Sequence, residues 1–269
     1  MATMYYIWKW ADNNLPGQPS DISAQLCAGK MPAAIQPFRP QPVLDRLAKV
    51  AAERRNEMSE LLIETKRQED GQAKFISLCD PASDSGWLTN KLLWAVWKTG
   101  LTLYHESQNR LIGLPKHNVV EVSGGEQLLD IEPSEIPGLL HALEQKSHLA
   151  AHTCYDQNGN MCQVYADHQR FAVEWQILPE QDFNLHQIWV AGKPIPGRRR
   201  TRLGSSSGRL ELFETEILGI SDAQRIWATF LAGAERPAIY SWRDITPDLN
   251  KSGNTNRQRC QKMETQPPR

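Results

Sequence analysis

One stretch constrains the fold more than any other: "AAHTCYDQNGNMCQVYAD", residues 150–167. Asn158-Gly159 stands between two alternating apolar segments, and this dipeptide is the strongest short hairpin signal because both central turn positions need positive φ. A chain built around such a hairpin makes an antiparallel sheet. "QRFAVEWQILP", "FNLHQIWVAG" and "RLELFETEIL" follow as three further alternating strands. "DAQRIWATFLAG" then reads as a short helix with Ile226, Trp227, Phe230 and Leu231 turned inward, and "PAIYSWRDI" as a last strand. From Asn250 the chain has neither period nor core residues, so residues 250–269 read as a disordered tail.

The N-terminal half mixes helix and strand. Residues 4–10, "MYYIWKW", form an aromatic strand with Tyr6, Trp8 and Trp10 on one face and Tyr5, Ile7 and Lys9 on the other. Large aromatics anchor a core, and the loop "WADNNLPG" beside them is expected to help form an interface. Ser20 and Asp21 open a short helix that Gly29 closes, and the proline-rich residues 31–42 cannot continue it. Val43, Leu44, Leu47, Val50, Ala51, Met58, Leu61 and Leu62 recur at helical spacing, which predicts one long amphipathic helix ending near Gly71. "AKFISLCD" reads as a buried strand, "SGWLTNKLLWAVWKTG" as a buried helix closed by Gly100, and "LTLYHESQNRLIGLP" as a hairpin. "SGGEQLLDIEPSE" reads as a loop, and "SEIPGLLHALEQK" as a helix capped by Ser134. The class is α+β. It comprises a mixed N-terminal domain over 1–148, a C-terminal antiparallel sheet with one packed helix over 149–249, and the tail.

Charge excludes a global attraction to nucleic acid or to an anionic membrane, since 30 basic residues face 31 acidic ones for a net −1. Five cysteines, an odd count at irregular spacing in a chain this long, point to a reducing compartment. No stretch approaches the roughly 20 consecutive apolar residues of a membrane span. The expectation is a cytoplasmic protein.

No motif dictates a reaction. His148, His152, Cys154, Cys162 and His168 are zinc-ligand types at short spacing, but a turn at Asn158-Gly159 leaves Cys154 and Cys162 not directly opposed, which favours ordinary strand packing. There is no Gly-x-Ser-x-Gly elbow, and "VSGGEQ" lacks the lysine of a phosphate loop. Glu214 with Glu216, or Asp130 with Glu132, could line one face of an extended segment, yet solvation explains them as well. No catalytic residue, metal ligand or cofactor is therefore assigned.

Two charge runs remain. "GRRRTRLGSSSGR", residues 197–209, carries five arginines and no acid; its glycines and serines mark a mobile hairpin loop that solubilises or touches a partner. "EVSGGEQLLDIEPSE", residues 121–135, carries five acids and no base, and suits a basic protein surface such as the phosphate-gripping cleft of a nuclease.

"IWKWADNNLPG", "GLTLYHESQNRLIGLP" and "RIWATFLAGAERPAIYSWRDIT" together resemble cytoplasmic immunity proteins encoded beside type VI secretion toxins, particularly those that neutralise nuclease effectors. The resemblance implies a non-catalytic protein, without cofactor, that binds one cognate toxin and occludes its active site or its substrate access. Glu121, Glu126, Asp130, Glu132 and Glu135 are the first candidate contacts, with Arg198, Arg199 and Arg200 second. Two alternatives stay open: an enzyme with a Cys/His site around His152 and Cys154, and a nucleic-acid accessory protein working through the arginine loop.

Overall fold

The computed structural model describes residues 2–11, 18–55, 61–81, 87–96, 98–112, 117–156, 158–178, 187–195, 197, 199–205 and 208–247; at 54, 55, 87, 90, 205, 208 and 209 it describes the backbone alone. The loop expected to adjoin the first strand (residues 12–17), Arg198 and the tail from Asn250 lie outside the described residues. The chain divides into two units, Met1–Lys116 and His117–Arg269. Both are mixed helix and antiparallel sheet, the α+β class expected.

In the first unit, strand β1 (Thr3–Trp10) is followed by α1 (Pro19–Cys27), β2 (Ile35–Gln36), α2 (Gln41–Arg55), β3 (Leu62–Arg67), β4 (Ala73–Asp80), α3 (Trp87–Val96), β5 (Thr102–His105) and β6 (Arg110–Ile112). The sheet order is β3-β4-β1-β5-β6, with β2 paired to the end of β1. The aromatic strand is therefore central, hydrogen-bonded on both edges, and each of its faces meets a helix. Tyr5 reaches Thr89 of α3 on one face (3.1 Å), while Tyr6 reaches Cys27 of α1 on the other (3.0 Å). Covering both faces is why Tyr5, Ile7 and Trp8 have no exposed surface.

The long helix expected over 43–71 is not formed. Helix α2 ends at Arg55 after burying the stripe Val43, Leu47 and Val50, and Leu62–Arg67 is instead the edge strand β3. The apolar spacing around Leu61 and Leu62 fits either period over so short a run. Pairing with β4 decides it, because β-branched Ile63 and Thr65 alternate with exposed Leu62, Glu64 and Lys66 and lie half-buried opposite Leu78 and Ile76.

The second unit contains β7 (Val119–Glu121), β8 (Gln127–Leu129), α4 (Ile136–Glu144), β9 (Ala150–Tyr155), β10 (Met161–Asp167), β11 (Arg170–Ile177), β12 (Gln187–Gly192), β13 (Arg200–Ser205), β14 (Gly208–Phe213), a 3-10 turn (Glu214–Glu216), α5 (Ile220–Leu231) and β15 (Ser241–Asp244). Seven strands form one antiparallel sheet in the order β15-β12-β11-β10-β9-β7-β8. The division thus falls after Lys116 and not near residue 148, because β7 pairs with β9 (Val120 opposite Cys154) and carries 117–148 into this sheet.

Alternation sorts the sheet's side chains. One face presents Val120, Cys154, Cys162, Val164, Phe171, Val173, Trp175 and Ala191 to Ile136, Leu140 and Leu143 of α4 and to Ala223, Ile226, Trp227 and Phe230 of α5. The other presents Tyr165, Ala172, Ile188 and Val190 to Leu203, Leu210 and Leu212 of the β13–β14 ribbon. "RLELFETEIL" is therefore not a strand of the main sheet. Leu210 and Leu212 put it on the sheet's face, and the turn at Glu214 ends it.

Candidate functional site

The acidic run, expected as a loop, is a hairpin. Gly124 and Gly125 adopt φ of 121° and 87°, a conformation closed to most side chains, and so let β7 fold back onto β8; Val122 N–H donates to Glu126 (2.9 Å) and Gly125 N–H to Val122 (3.0 Å). His152, in the middle of β9 and 2% exposed, fastens the tip. Its Nδ1 accepts the Ser123 N–H at 2.9 Å, which places the ring proton on Nε2, 3.2 Å from the Leu139 carbonyl of α4. The ring also stacks on Trp227 of α5, with centroids 6.3 Å apart. Burial holds its pKa below the ordinary histidine value, and the two backbone carbonyls of Ala151 and Leu139 only partly offset this. One neutral imidazole thus joins β9, α4, α5 and the acidic hairpin.

The five acids play different parts. Glu121, half-buried, lies on β7 opposite both Gln127 and Thr153. Asp130 turns the chain out of β8 at φ 48°; its Oδ1 accepts the Asn118 N–H (2.9 Å) and its Oδ2 meets His117 Nδ1. Glu135 accepts the Glu132 N–H (2.7 Å) in the turn before α4, and it takes the N-cap position expected for Ser134. Glu126 and Glu132 are exposed, and among the described residues their carboxylates hold no hydrogen bond or ion pair. Two free carboxylates on a fixed frame are what the run offers a partner.

Within the arginine run, Arg200–Ser205 is the strand β13 and not a loop. Thr201 and Leu203 alternate with Arg200 and Arg202, Leu203 is fully buried, and the segment pairs with β14 along its whole length. That pairing sets Glu211 directly opposite Arg202, whose Nε lies 3.0 Å from the carboxylate. Arg199 Nε lies 3.3 Å from Glu214, both side chains being more than half exposed. Arg200 is exposed opposite Phe213, and Arg198 lies outside the described residues. Acids from the neighbouring strand and the turn that ends it thus offset a charge run that looked uncompensated along the chain.

The Cys/His group is split by the strands. His148 and His168 are exposed, whereas His152, Cys154 and Cys162 point into the helix-covered core. Cys154 and Cys162 are direct cross-strand partners, contrary to the expected offset, because the hairpin closes with a five-residue turn. Asp156 organises that turn: its Oδ1 accepts the N–H groups of Asn158 (2.7 Å) and Asn160 (2.8 Å). Both nitrogens of His152 are engaged, so it has no lone pair for a metal, and among the described residues no three His, Cys, Asp or Glu side chains form a metal-holding group. Burial raises the Cys154 and Cys162 thiols and depresses the imidazole, the reverse of an activated thiolate–imidazolium pair.

Two polar features were missed in the sequence. Glu121, Thr153, Gln163 and Glu174 stand directly opposite one another across β7, β9, β10 and β11, on the face away from α4 and α5. Tyr165 Oη lies 2.9 Å from Gln163 and 3.1 Å from Glu174 within this belt. Glu216, only 3% exposed, receives Arg243 of β15 through Nε and Nη2 and the Phe213 N–H at 2.8 Å. The alternation rule could have placed Glu174 on the polar side of β11. Nothing local marks Glu216 as buried.

Among the described residues no helix is long and apolar enough to cross a membrane. No protein-family model matches the chain, and no curated protein matches it.

Proposed function

We propose that this chain is an immunity protein that captures a cognate secreted bacterial toxin, with a basic nuclease surface as the target, and occludes its active site or substrate access without using a cofactor. One observation carries this reading. Residues 117–145 contain six acids and no lysine or arginine, and they are mounted on a hairpin and helix held by His152. A fixed negative surface speeds the encounter with a positive one and loses little conformational entropy on docking. The arginine ribbon supports a protein partner over nucleic acid, since Glu211 and Glu214 offset Arg202 and Arg199 within it. The three segments quoted above for their resemblance to type VI immunity proteins add to this reading. The chain is expected to act in the cytoplasm, where a toxin reaches its substrate.

The test begins with capture of partners from native lysate by the tagged chain, identified by mass spectrometry. The expected result is one stoichiometric basic protein that arrests growth when expressed alone and ceases to do so when this chain is co-expressed. Glu126→Lys with Glu132→Lys then lowers the association rate about tenfold at low salt and much less at high salt, with the fold unchanged. A captured protein that arrests growth equally with and without this chain would sink the immunity reading. An association rate indifferent to both charge reversals would remove the acidic hairpin from it.

A further inference from the structure

Strand β15 closes the seven-stranded sheet at the edge opposite β8 and has no part in the proposed partner surface. One bond shows which of its backbone groups face outward. Ile245 N–H donates to the Ile188 carbonyl at 2.9 Å, in a ladder where Asp244 stands opposite Trp189. Alternation then turns the N–H and C=O groups of Ser241 and Arg243 toward β12 and those of Trp242 and Asp244 away from it. Among the described residues no strand pairs with that outer side. Sheet edges are commonly guarded by charge, as β3 is by exposed Glu64, Lys66 and Arg67. In β15 the cation is withdrawn, because two nitrogens of Arg243 are tied to Glu216.

The side chains beside this edge carry a second charge. Trp242 and Asp244 share the helix-covered face with Trp175 and Trp189. Arg236, in the segment between α5 and β15, lies over two of these rings, its Cζ 3.7 Å from the centroid of Trp189 and 5.6 Å from that of Trp242. Trp175 packs edge-on against Trp242 at 5.8 Å. Burial holds the Arg236 pKa below the ordinary arginine value, Asp244 partly offsetting this, and its Nη1 has no hydrogen-bond partner among the described residues. The edge thus combines outward backbone groups, an exposed carboxylate at Asp244 and a cation resting on Trp242.

We infer that β15 pairs antiparallel with β15 of a second copy of this chain, about a twofold axis at Arg243. In this register Trp242 faces the second copy's Asp244, and Asp244 faces the second copy's Trp242; each pair exchanges both N–H···O=C bonds. The incoming carboxylate arrives on the face where Arg236 lies over Trp242, so opposite charges meet on both sides of the axis. Other registers do worse. Centring on Asp244 opposes two carboxylates, and centring on Trp242 carries Asp244 past the end of the facing strand, opposite Tyr240. Arg243 meets its own image, each guanidinium already held by Glu216 of its own chain. Strand β8 and its acidic hairpin stay free at both ends of the joined sheet. The inference rests on the edge's hydrogen bonding and charge, and not on the proposed toxin, so either fails without the other.

Sedimentation equilibrium of the full chain, from low micromolar to submillimolar concentration, tests the pairing. The expected result is an equilibrium between the 30.5 kDa monomer and a species of twice that mass. Hydrogen exchange of the peptide covering residues 238–247 slows as the dimer fills, because the Trp242 and Asp244 amides become bonded. Asp244→Lys sets a cation beside Arg236 of the other copy, and Asp244→Pro deletes an outward N–H while leaving the β12 ladder whole. Each is expected to weaken the dimer about tenfold, since every change counts twice in a symmetric pair. Circular dichroism and thermal melting identify the variant that keeps the fold, and that variant is the one compared. A single 30.5 kDa species at every concentration, exchange of that peptide indifferent to concentration, or a dimer that a folded variant does not weaken would overturn the proposal.

Discussion

Replacing His152 by phenylalanine tests whether one imidazole holds the acidic hairpin. The ring volume is kept, so the cavity term is small and the loss is polar. The Ser123 N–H loses its 2.9 Å acceptor and the Leu139 carbonyl loses its 3.2 Å donor, although that carbonyl retains a helical position. A buried group left unsatisfied costs about 1–3 kcal/mol, so the substitution is expected to cost about 2–4 kcal/mol in the second unit. Burial gives pH a predictable sign. The histidine pKa is lower in the folded state than its unfolded value of about 6.5, so the unfolded chain binds more protons below that pH. The contribution of His152 is therefore complete above about pH 6.5 and is lost as pH falls toward the folded pKa, by at most about 1.4 kcal/mol per pH unit. Hydrogen exchange of the peptide covering residues 119–129, followed from pH 8 to 5 after correction for intrinsic exchange, reads the hairpin directly. In the natural protein its protection falls with acid; in His152→Phe it is low at pH 8 and nearly flat. Protection in the variant equal to the natural level at pH 8, or a slope unchanged by the substitution, would refute the anchoring role.

Three further outcomes are expected. Glu216→Gln removes the charge facing Arg243, whose side chain is 31% exposed, and is expected to cost about 2 kcal/mol, less than a fully buried pair because water reaches the arginine; urea unfolding followed by a probe in the second unit checks it. Thr102→Val in β5 removes a fully buried hydroxyl that has no hydrogen-bond partner among the described residues and keeps the shape, so the first unit is expected to gain about 1 kcal/mol; a lower melting temperature would show that the hydroxyl does contribute. Gly125→Ala places a Cβ at φ 87° in open space, so strain alone is at work and about 1–2 kcal/mol is lost from the hairpin, read by the same exchange peptide.

Much of the fold was legible because it is local. The hairpin around Asn158-Gly159, the aromatic first strand and the stripe Ile226, Trp227 and Phe230 each express a period within a dozen residues, and each is present, although the hairpin closes with a longer turn than the expected Asn-Gly pair. The failures share a cause. Residues 61–67 satisfy a helical and a strand spacing alike, and pairing with a strand distant in sequence chooses between them. The boundary near residue 148 failed for the same reason, since β7 pairs with β9, a strand that begins some thirty residues after it, and carries the segment between them into that sheet. In the β9–β10 hairpin, a side chain outside the Asn-Gly pair, Asp156, lengthens the turn and brings the two cysteines into register.

Charge was readable in composition but not in effect. Along the chain, the arginine and acidic runs look like opposite and equal candidates. Pairing separates them: β14 and the turn after it return Glu211 and Glu214 beside Arg202 and Arg199, whereas β8, the neighbour of acidic β7 at the sheet edge, brings Gln127, Leu128 and Leu129 and no base. Local geometry then divides the acids again. Asp130 and Glu135 hold backbone N–H groups and shape the turns, so removing either perturbs the fold together with any binding. Glu126 and Glu132 carry no such duty among the described residues, which makes them the two positions where charge can be reversed and the result read as recognition alone.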